Sequence, residues 1–268
     1  MKIGFIGVGN MGTAIMKGYL AVHKDEKGNI SAYDKDEEKR KKLSRELGIN
    51  ECGSLEKLME QSDIIILAVK PQNFEAVLTE ARAFYKPHQV MVSIAAGISI
   101  GYIEKLMQEH GGVKIIRVMP NTPALVNAGM SALCRNRFIS DAEFEPVVAL
   151  FRTVGRAEVV GEAMIDNVIG VSGSSPAYTY MFIEALIDAA VANGMERGQA
   201  TIFAGQAVLG AAKMVLETGI DPITLRENVC SPGGTTIEAV KALQNNGFYD
   251  NVVEAYQAAV EKSKIMTK

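Results

Sequence analysis

Gly7, Gly9 and Gly12 carry the first chemistry legible in this chain, because they follow the apolar run Ile3-Gly4-Phe5-Ile6 in the order G-x-G-x-x-G. Gly7 permits a tight turn from strand to helix, Gly9 lets the main chain approach a pyrophosphate with no side chain between, and Gly12 lets the helix pack closely on the strand. The free N–H groups of the first helical turn, at Asn10 and Met11, then face phosphate oxygens. A second apolar run, Ile30-Ser31-Ala32-Tyr33, ends at Asp34, about twenty residues beyond the last glycine, where a βαβ unit places the residue that meets an adenosine ribose. The alternative is a strand, turn and helix with no ligand; the placing of Asp34 favours a dinucleotide cradle.

Three further strand ends carry unusual sequence: Ala68-Val69-Lys70-Pro71, Ser93-Ile94-Ala95-Ala96-Gly97 and Arg117-Val118-Met119-Pro120-Asn121-Thr122-Pro123. In an open parallel sheet, ligands bind outside the carboxyl ends of the strands. Small residues at Ala95, Ala96 and Gly97 let the backbone come near a flat ring, and the prolines around Asn121 stiffen a loop that would line the same pocket, with Asn121 itself expected among the cofactor-binding residues. Near the other end of the chain, Ser231-Pro232-Gly233-Gly234-Thr235-Thr236 leads into an amphipathic helix. Several N–H groups and hydroxyls meet there at a helix N-terminus, a ready site for a carboxylate. An ordinary cap with Thr235 or Thr236 at the N-cap position needs only one hydroxyl and no paired glycines.

The elements that position these residues fall into two halves. Strands are expected at 64–69, 89–94 and 114–118, each preceded by a helix-compatible stretch such as Glu37–Leu47, Leu55–Gln61 or 72–84, and this alternation specifies a parallel, doubly wound sheet. Segments 130–135 and 157–160, flanking a helix near 141–154, complete it. Beyond about Gly161 the β signals stop, and Ala, Met, Leu, Ile and Val recur at helical spacing to the end. The expected organisation is therefore α/β: a Rossmann dinucleotide-binding domain at 1–161 and an all-helical domain at 162–268.

At 268 residues the chain suits two domains, and its net charge of −3 gives no reason to expect nucleic acid or an anionic membrane surface as partner. The first strand begins at once, so no export signal is expected, nor any stretch long and apolar enough to span a bilayer. Cys52, Cys134 and Cys230 are odd in number and widely spaced, which points to a reduced, cytoplasmic chain without a disulfide framework or metal site. His23, His88 and His110 lie in polar stretches and read as solvated.

The glycine motif, Ala68-Val69-Lys70-Pro71, Met119-Pro120-Asn121-Thr122-Pro123, Ser172-Gly173-Ser174-Ser175-Pro176-Ala177-Tyr178 and Ser231-Pro232-Gly233-Gly234-Thr235-Thr236 together resemble the pyrroline-5-carboxylate reductases, over essentially the whole chain. The resemblance implies hydride transfer from a nicotinamide to the C=N bond of 1-pyrroline-5-carboxylate, giving L-proline, the last step of proline biosynthesis. It implies that Ser231 and the N–H groups of Gly233, Gly234, Thr235 and Thr236 hold the substrate carboxylate, that the Thr236 hydroxyl bonds the ring nitrogen, that Glu162 lies near substrate and that Asn228 reaches the cofactor. A protonated imine is already a strong hydride acceptor, so catalysis can rest on near-attack geometry and charge balance without a dedicated protein base. A β-hydroxyacid dehydrogenase, the rival enzyme, needs a lysine near the domain junction as base, and none occurs between Lys114 and Lys213. A cofactor-dependent binding or scaffold protein is the non-enzymatic alternative.

Cofactor choice is divided. The resemblance points to NADPH, whereas Asp34 suits the ribose diol of NADH and repels a 2′-phosphate. Lys35, Lys39 and Arg40 offer mobile cations that could neutralise such a phosphate, or else 35–42 is a solvated helix face. The helices expected at 176–194 and 199–217 are apolar around most of their circumference, and a domain of about a hundred residues cannot bury two such helices unaided, so a homodimer is expected. The resemblance adds intertwined C-terminal helices, further assembly into decamers, and an active site that draws on the Rossmann domain and on helices of one or both chains.

Overall fold

Ile3–Ile6 (β1) is fully buried, and it pairs in parallel with Ile30–Tyr33 (β2) on one side and with Ile64–Leu67 (β4) on the other. A computed structural model describes all of Met1–Lys268. The sheet runs in the order β3-β2-β1-β4-β5-β6-β7-β8, with β3 at Asn50–Glu51, β5 at Val90–Ser93, β6 at Lys114–Met119, β7 at Gly129–Arg135 and β8 at Gly155–Val159. The strand order reverses between β2 and β4, on either side of β1, which is where a doubly wound sheet opens a crevice at its carboxyl edge. One pairing departs from the expected parallel pattern: β7 runs antiparallel to β6. Only residues 120–128 separate the two strands, too few for the crossover that a parallel neighbour requires.

Six α-helices belong to this sheet: Asn10–Val22 (α1), Glu37–Leu47 (α2), Leu55–Gln61 (α3), Pro71–Ala81 (α4), Ile100–Leu106 (α5) and Asp141–Arg152 (α6). Their ends are written in the sequence. The side chains of Asp36 and Ser54 accept the N–H groups of Lys39 and Lys57, Gly48 closes α2 at φ 71°, and Ser140 with Glu143 forms a capping box on α6. One apolar layer packs Ile15, Met16 and Tyr19 of α1 and Phe144, Val148 and Phe151 of α6 on one face of the sheet. A second packs Leu58, Phe74, Leu78 and Ile103 on the other.

The compact units divide differently from the expected boundary after residue 161. One comprises Met1–Gly173 together with Ala259–Lys268, and the other Ser174–Ala258. Residues 162–173 stay with the sheet because their side and main chains bond to it: Glu162 to Arg117, and Ser172 to Asn121. They form a 3-10 turn at Glu162–Met164, a short helix at Ile165–Val168 (α7) and a π-turn at Ile169–Gly173. The closing residues return to the same unit, where the Lys268 N–H donates to Gly97 O at 2.9 Å and the Ser263 hydroxyl to Asp166 at 2.6 Å.

The second unit is helical: Ser175–Ala192 (α8), Arg197–Thr218 (α9), Pro222–Val229 (α10), Thr235–Asn245 (α11) and the larger part of Phe248–Met266 (α12). Its buried core is small, built on Ile187, Ala200 and Ala204. Met181, Ile202 and Phe203 are 69%, 72% and 61% exposed, so most of the apolar surface of α8 and α9 has no cover within the chain. Contrary to the expectation from sequence, α9 is long and apolar enough, with mean hydropathy 1.2, to cross a membrane by length and composition.

Candidate functional site

The three glycines of the first loop do different work. At Gly7, φ is +102° and an added Cβ would lie 2.6 Å from the Ala68 carbonyl oxygen; at Gly12 it would lie 2.8 Å from Gly7 O. Both are demanded by the turn itself. A Cβ on Gly9 would meet nothing within 4 Å, and Gly9 has the ordinary extended backbone of an N-cap (φ −70°). The fold therefore leaves free the space that a diphosphate needs. No side chain caps α1, so the N–H groups of its first turn, at Asn10, Met11 and Gly12, point into that space without a helical partner. A dinucleotide fits this cradle.

Asp34 is tied to the same loop. Its Oδ2 accepts the Val8 N–H at 2.9 Å and its Oδ1 the Asp36 N–H at 3.0 Å. Each oxygen keeps a lone pair for a ribose hydroxyl. Arg40 is not the mobile cation that its spacing suggested. It is buried, its Nη1 donates to the Asp34 carbonyl at 3.0 Å, and its Nε pairs with Glu51. This ion pair anchors α2 to β3 and takes Arg40 out of contention for a phosphate; Lys35 and Lys39 remain exposed, and Lys39 lines an open pocket with Val8, Asn10, Thr13 and Leu125.

The other strand ends sit on the same carboxyl edge of the sheet. Ala68 follows β4, and the exposed Lys70 precedes Pro71, which opens α4. Ala95 is buried, and Gly97 takes φ +71°, its carbonyl held by Lys268. Ser99 caps α5 by accepting the Tyr102 N–H. Glu162 Oε1 accepts both the Ile100 N–H, at 2.8 Å, and Nη1 of Arg117, at 2.9 Å. Arg117 lies buried in β6 and needs a carboxylate beside it, so Glu162 has a structural duty that spacing alone did not disclose. An arginine inside the apolar run Ile115–Val118 was the available signal. Burial pushes the Cys134 thiol up to about 12, which removes it as a nucleophile at neutral pH.

In the helical unit, Asn228 is exposed on the last turn of α10, and Ser231 to Thr236 form the turn into α11. Gly233 has φ +71°, and a Cβ on Gly234 would lie 3.1 Å from Ser231 O. The N-cap of α11 is Gly234, and no side chain caps the helix, so the hydroxyls of Thr235 and Thr236 do not serve as the ordinary cap. One expected donor is already engaged: the Gly234 N–H closes the turn onto Ser231 O at 3.0 Å. The N–H groups of Gly233, Thr235 and Thr236 and three hydroxyls are left at the helix N-terminus.

The family described as pyrroline-5-carboxylate reductase dimerisation matches residues 162–266, and one described as NADP oxidoreductase, coenzyme F420-dependent, matches residues 2–97. Pyrroline-5-carboxylate reductase of Escherichia coli strain K12 is 48% identical over 267 residues, covering 100% of this chain and 98% of that protein. The chain belongs to the pyrroline-5-carboxylate reductase family. The enzyme of that name from Arabidopsis thaliana is 36% identical over 100% of this chain and 96% of its own. Among solved structures, a pyrroline-5-carboxylate reductase from Coxiella burnetii superposes with a TM-score of 0.92 at 32% identity, covering 100% of this chain and 98% of that one. The Plasmodium falciparum pyrroline carboxylate reductase, solved with NADP bound, superposes with a TM-score of 0.89 at 33% identity over the same shares.

Proposed function

We propose that this chain is an NAD(P)H-dependent pyrroline-5-carboxylate reductase, reducing the C=N bond of 1-pyrroline-5-carboxylate to give L-proline, the last step of proline biosynthesis. The observation that carries the reading is the turn into α11: a helix N-terminus with spare N–H groups and hydroxyls and no side-chain cap, in a chain that also holds an open diphosphate cradle at Gly9. The substrate carboxylate is held by the Ser231 hydroxyl and the N–H groups of Gly233, Thr235 and Thr236, where the partial positive charge of the helix end adds to the hydrogen bonds. The Thr236 hydroxyl meets the ring nitrogen and fixes which face of the imine is presented. Gly7, Gly9, Asn10, Met11 and Gly12 cradle the diphosphate of the cofactor, Asp34 and Lys35 meet its adenosine end, and Ala68 to Pro71 and Ala95 to Gly97 line its path along the sheet edge; Asn228 is the cofactor-binding residue of the helical unit. When bound, the reduced nicotinamide supplies the hydride. No protein base is required, because protonation of the imine makes its carbon the acceptor and the chain's task is orientation.

Asp34 favours use of both NADPH and NADH, since its carboxylate accepts from a ribose diol while Lys35 and Lys39 offset a phosphate. Residues 162–268 serve as the substrate-binding and dimerisation half. A homodimer, able to assemble further into a decamer, supplies the missing cover for α8 and α9. The three unpaired cysteines suit a cytoplasmic enzyme. The deciding assay is loss of absorbance at the reduced nicotinamide band on adding pyrroline-5-carboxylate. Turnover with either cofactor is expected; its absence at any pH would leave only a binding or scaffold protein.

A further inference from the structure

We propose that Asn121 is a positioning residue for hydride transfer, one that locks the end of β6 to the π-turn at 169–173 and makes no contact of its own with the cofactor; this rests on the reductase reading above. Asn121 is 9% exposed, and its amide works in both directions. Nδ2 donates to the Ser172 carbonyl at 2.9 Å, and Oδ1 accepts the Met130 N–H at 2.8 Å. A carbonyl only accepts and an N–H only donates, so the amide has one orientation. Three segments far apart in sequence meet on one side chain: the end of β6, the start of β7 and the π-turn.

The loop needs such a tie. Pro120 and Pro123 flank Asn121 and lack N–H groups, so the main chain there has few donors with which to fasten itself. The same turn lies close to the end of β6, for a Cβ added at Gly173 would lie 3.2 Å from Cε of Met119. Ser172 also donates its hydroxyl to Val168 O at 3.2 Å, which steadies the wide turn from within. π-turns are uncommon and recur at functional sites. This one stands where the chain leaves the sheet for α8, beside a strand end of the kind that carries ligands in this class of sheet. A displacement of about 1 Å between donor and acceptor is enough to slow a reaction by about a hundredfold, so a tie at this point acts on turnover and not on cofactor affinity.

Two variants test it. Asn121→Asp keeps the acceptor for Met130 and replaces the donor to Ser172 by an oxygen. Gly173→Ala leaves Asn121 intact and presses on Met119. Both should lower kcat/KM for the imine by about tenfold or more, with the cofactor Kd from nicotinamide fluorescence within about threefold of the parent and Tm lowered only modestly. A cofactor Kd weakened about tenfold in Asn121→Asp, with turnover at saturation preserved, would mean direct contact and overturn the proposal. Parental kcat/KM in both variants, with Tm alone reduced, would overturn it as well. Should Asn121→Asp fail to fold, parental kcat/KM in Gly173→Ala is sufficient to reject it.

Discussion

Val8 gives its backbone N–H to Oδ2 of Asp34 at 2.9 Å, so the glycine loop and the carboxylate at the end of β2 are fastened directly to each other. The residue proposed to meet the adenosine ribose and the loop proposed to hold the diphosphate thus share one hydrogen bond, and a change at Asp34 reaches both.

Replacement of Asp34 by Ser should therefore have two effects. Removing the negative charge favours a 2′-phosphate and removes the acceptor for a ribose diol, so the ratio of kcat/KM for NADPH over NADH should rise by one to two decades. Val8 is almost fully buried and loses a charged acceptor, at a cost of about 1–3 kcal/mol in stability. Steady-state kinetics with both cofactors and a thermal melt report the two separately. A parent enzyme that already strongly prefers NADPH would remove the case for Asp34.

Gly9 and Gly12 should separate binding from folding. Gly9→Ala fills space the protein does not use, in a backbone conformation open to any residue, so Tm should hold while cofactor affinity falls; Gly9→Val should abolish binding. Gly12→Ala drives a methyl to 2.8 Å from Gly7 O and should lower stability by about 1–3 kcal/mol before affinity is considered. Equal losses of Tm in Gly9→Ala and Gly12→Ala would contradict the division.

Thr236→Val keeps the shape of the side chain and removes the hydroxyl. Loss of one charge-assisted hydrogen bond, roughly 1.5–3 kcal/mol, should reduce kcat/KM by about ten- to a hundredfold without unfolding the helical unit. Thr236→Ala should do the same. Full activity in both would move the ring nitrogen to another partner.

Much of this was legible in sequence because it is local. The glycine spacing, Asp34 two residues before the N-cap of α2, and α2 and α3 to the residue follow from periodicity and caps. What escaped depends on contacts between distant segments. Arg40 reads as a surface cation until β3 brings Glu51 to it, and β3 is a two-residue strand with no pattern of its own. The antiparallel turn at β7 is set by loop length rather than by composition. Asn121 lies in a motif visible from the outset, yet its partners at Met130 and Ser172 are known only once the sheet is assembled.

Acid should loosen the sheet unit through Glu143. Its carboxylate accepts from Lys114 Nζ and from the hydroxyl and N–H of Ser140, which together hold its pKa down at about 2. The folded value lies below the unfolded one of about 4.3, so the contribution is fully present above that pH and is lost as pH falls toward 2. Partial exposure of the pair limits it to roughly 1 kcal/mol or less. Denaturant titrations between pH 5 and 2 should show a shallower loss of stability in Glu143→Gln than in the parent; identical slopes would place the acid sensitivity elsewhere.

The apolar surface of α8 and α9 leads to the last expectation. Helices apolar on all sides are stable only when covered, yet within the chain only Ile187, Ala200 and Ala204 are buried between them, while Met181, Ile202, Phe203, Leu209 and Met214 stand open. A dimer interface of ordinary size covers about 800 Å² per partner, and these residues would form its apolar centre. A bilayer would also cover α9, but the match of residues 162–266 to a dimerisation domain favours a second copy. Sedimentation at low micromolar concentration should give about twice 28.9 kDa or a multiple of it. Ile202→Asp combined with Phe203→Asp should release monomers with exposed apolar surface and little activity, whereas a folded, active parental monomer, or pelleting of the parent with lipid vesicles, would defeat the claim.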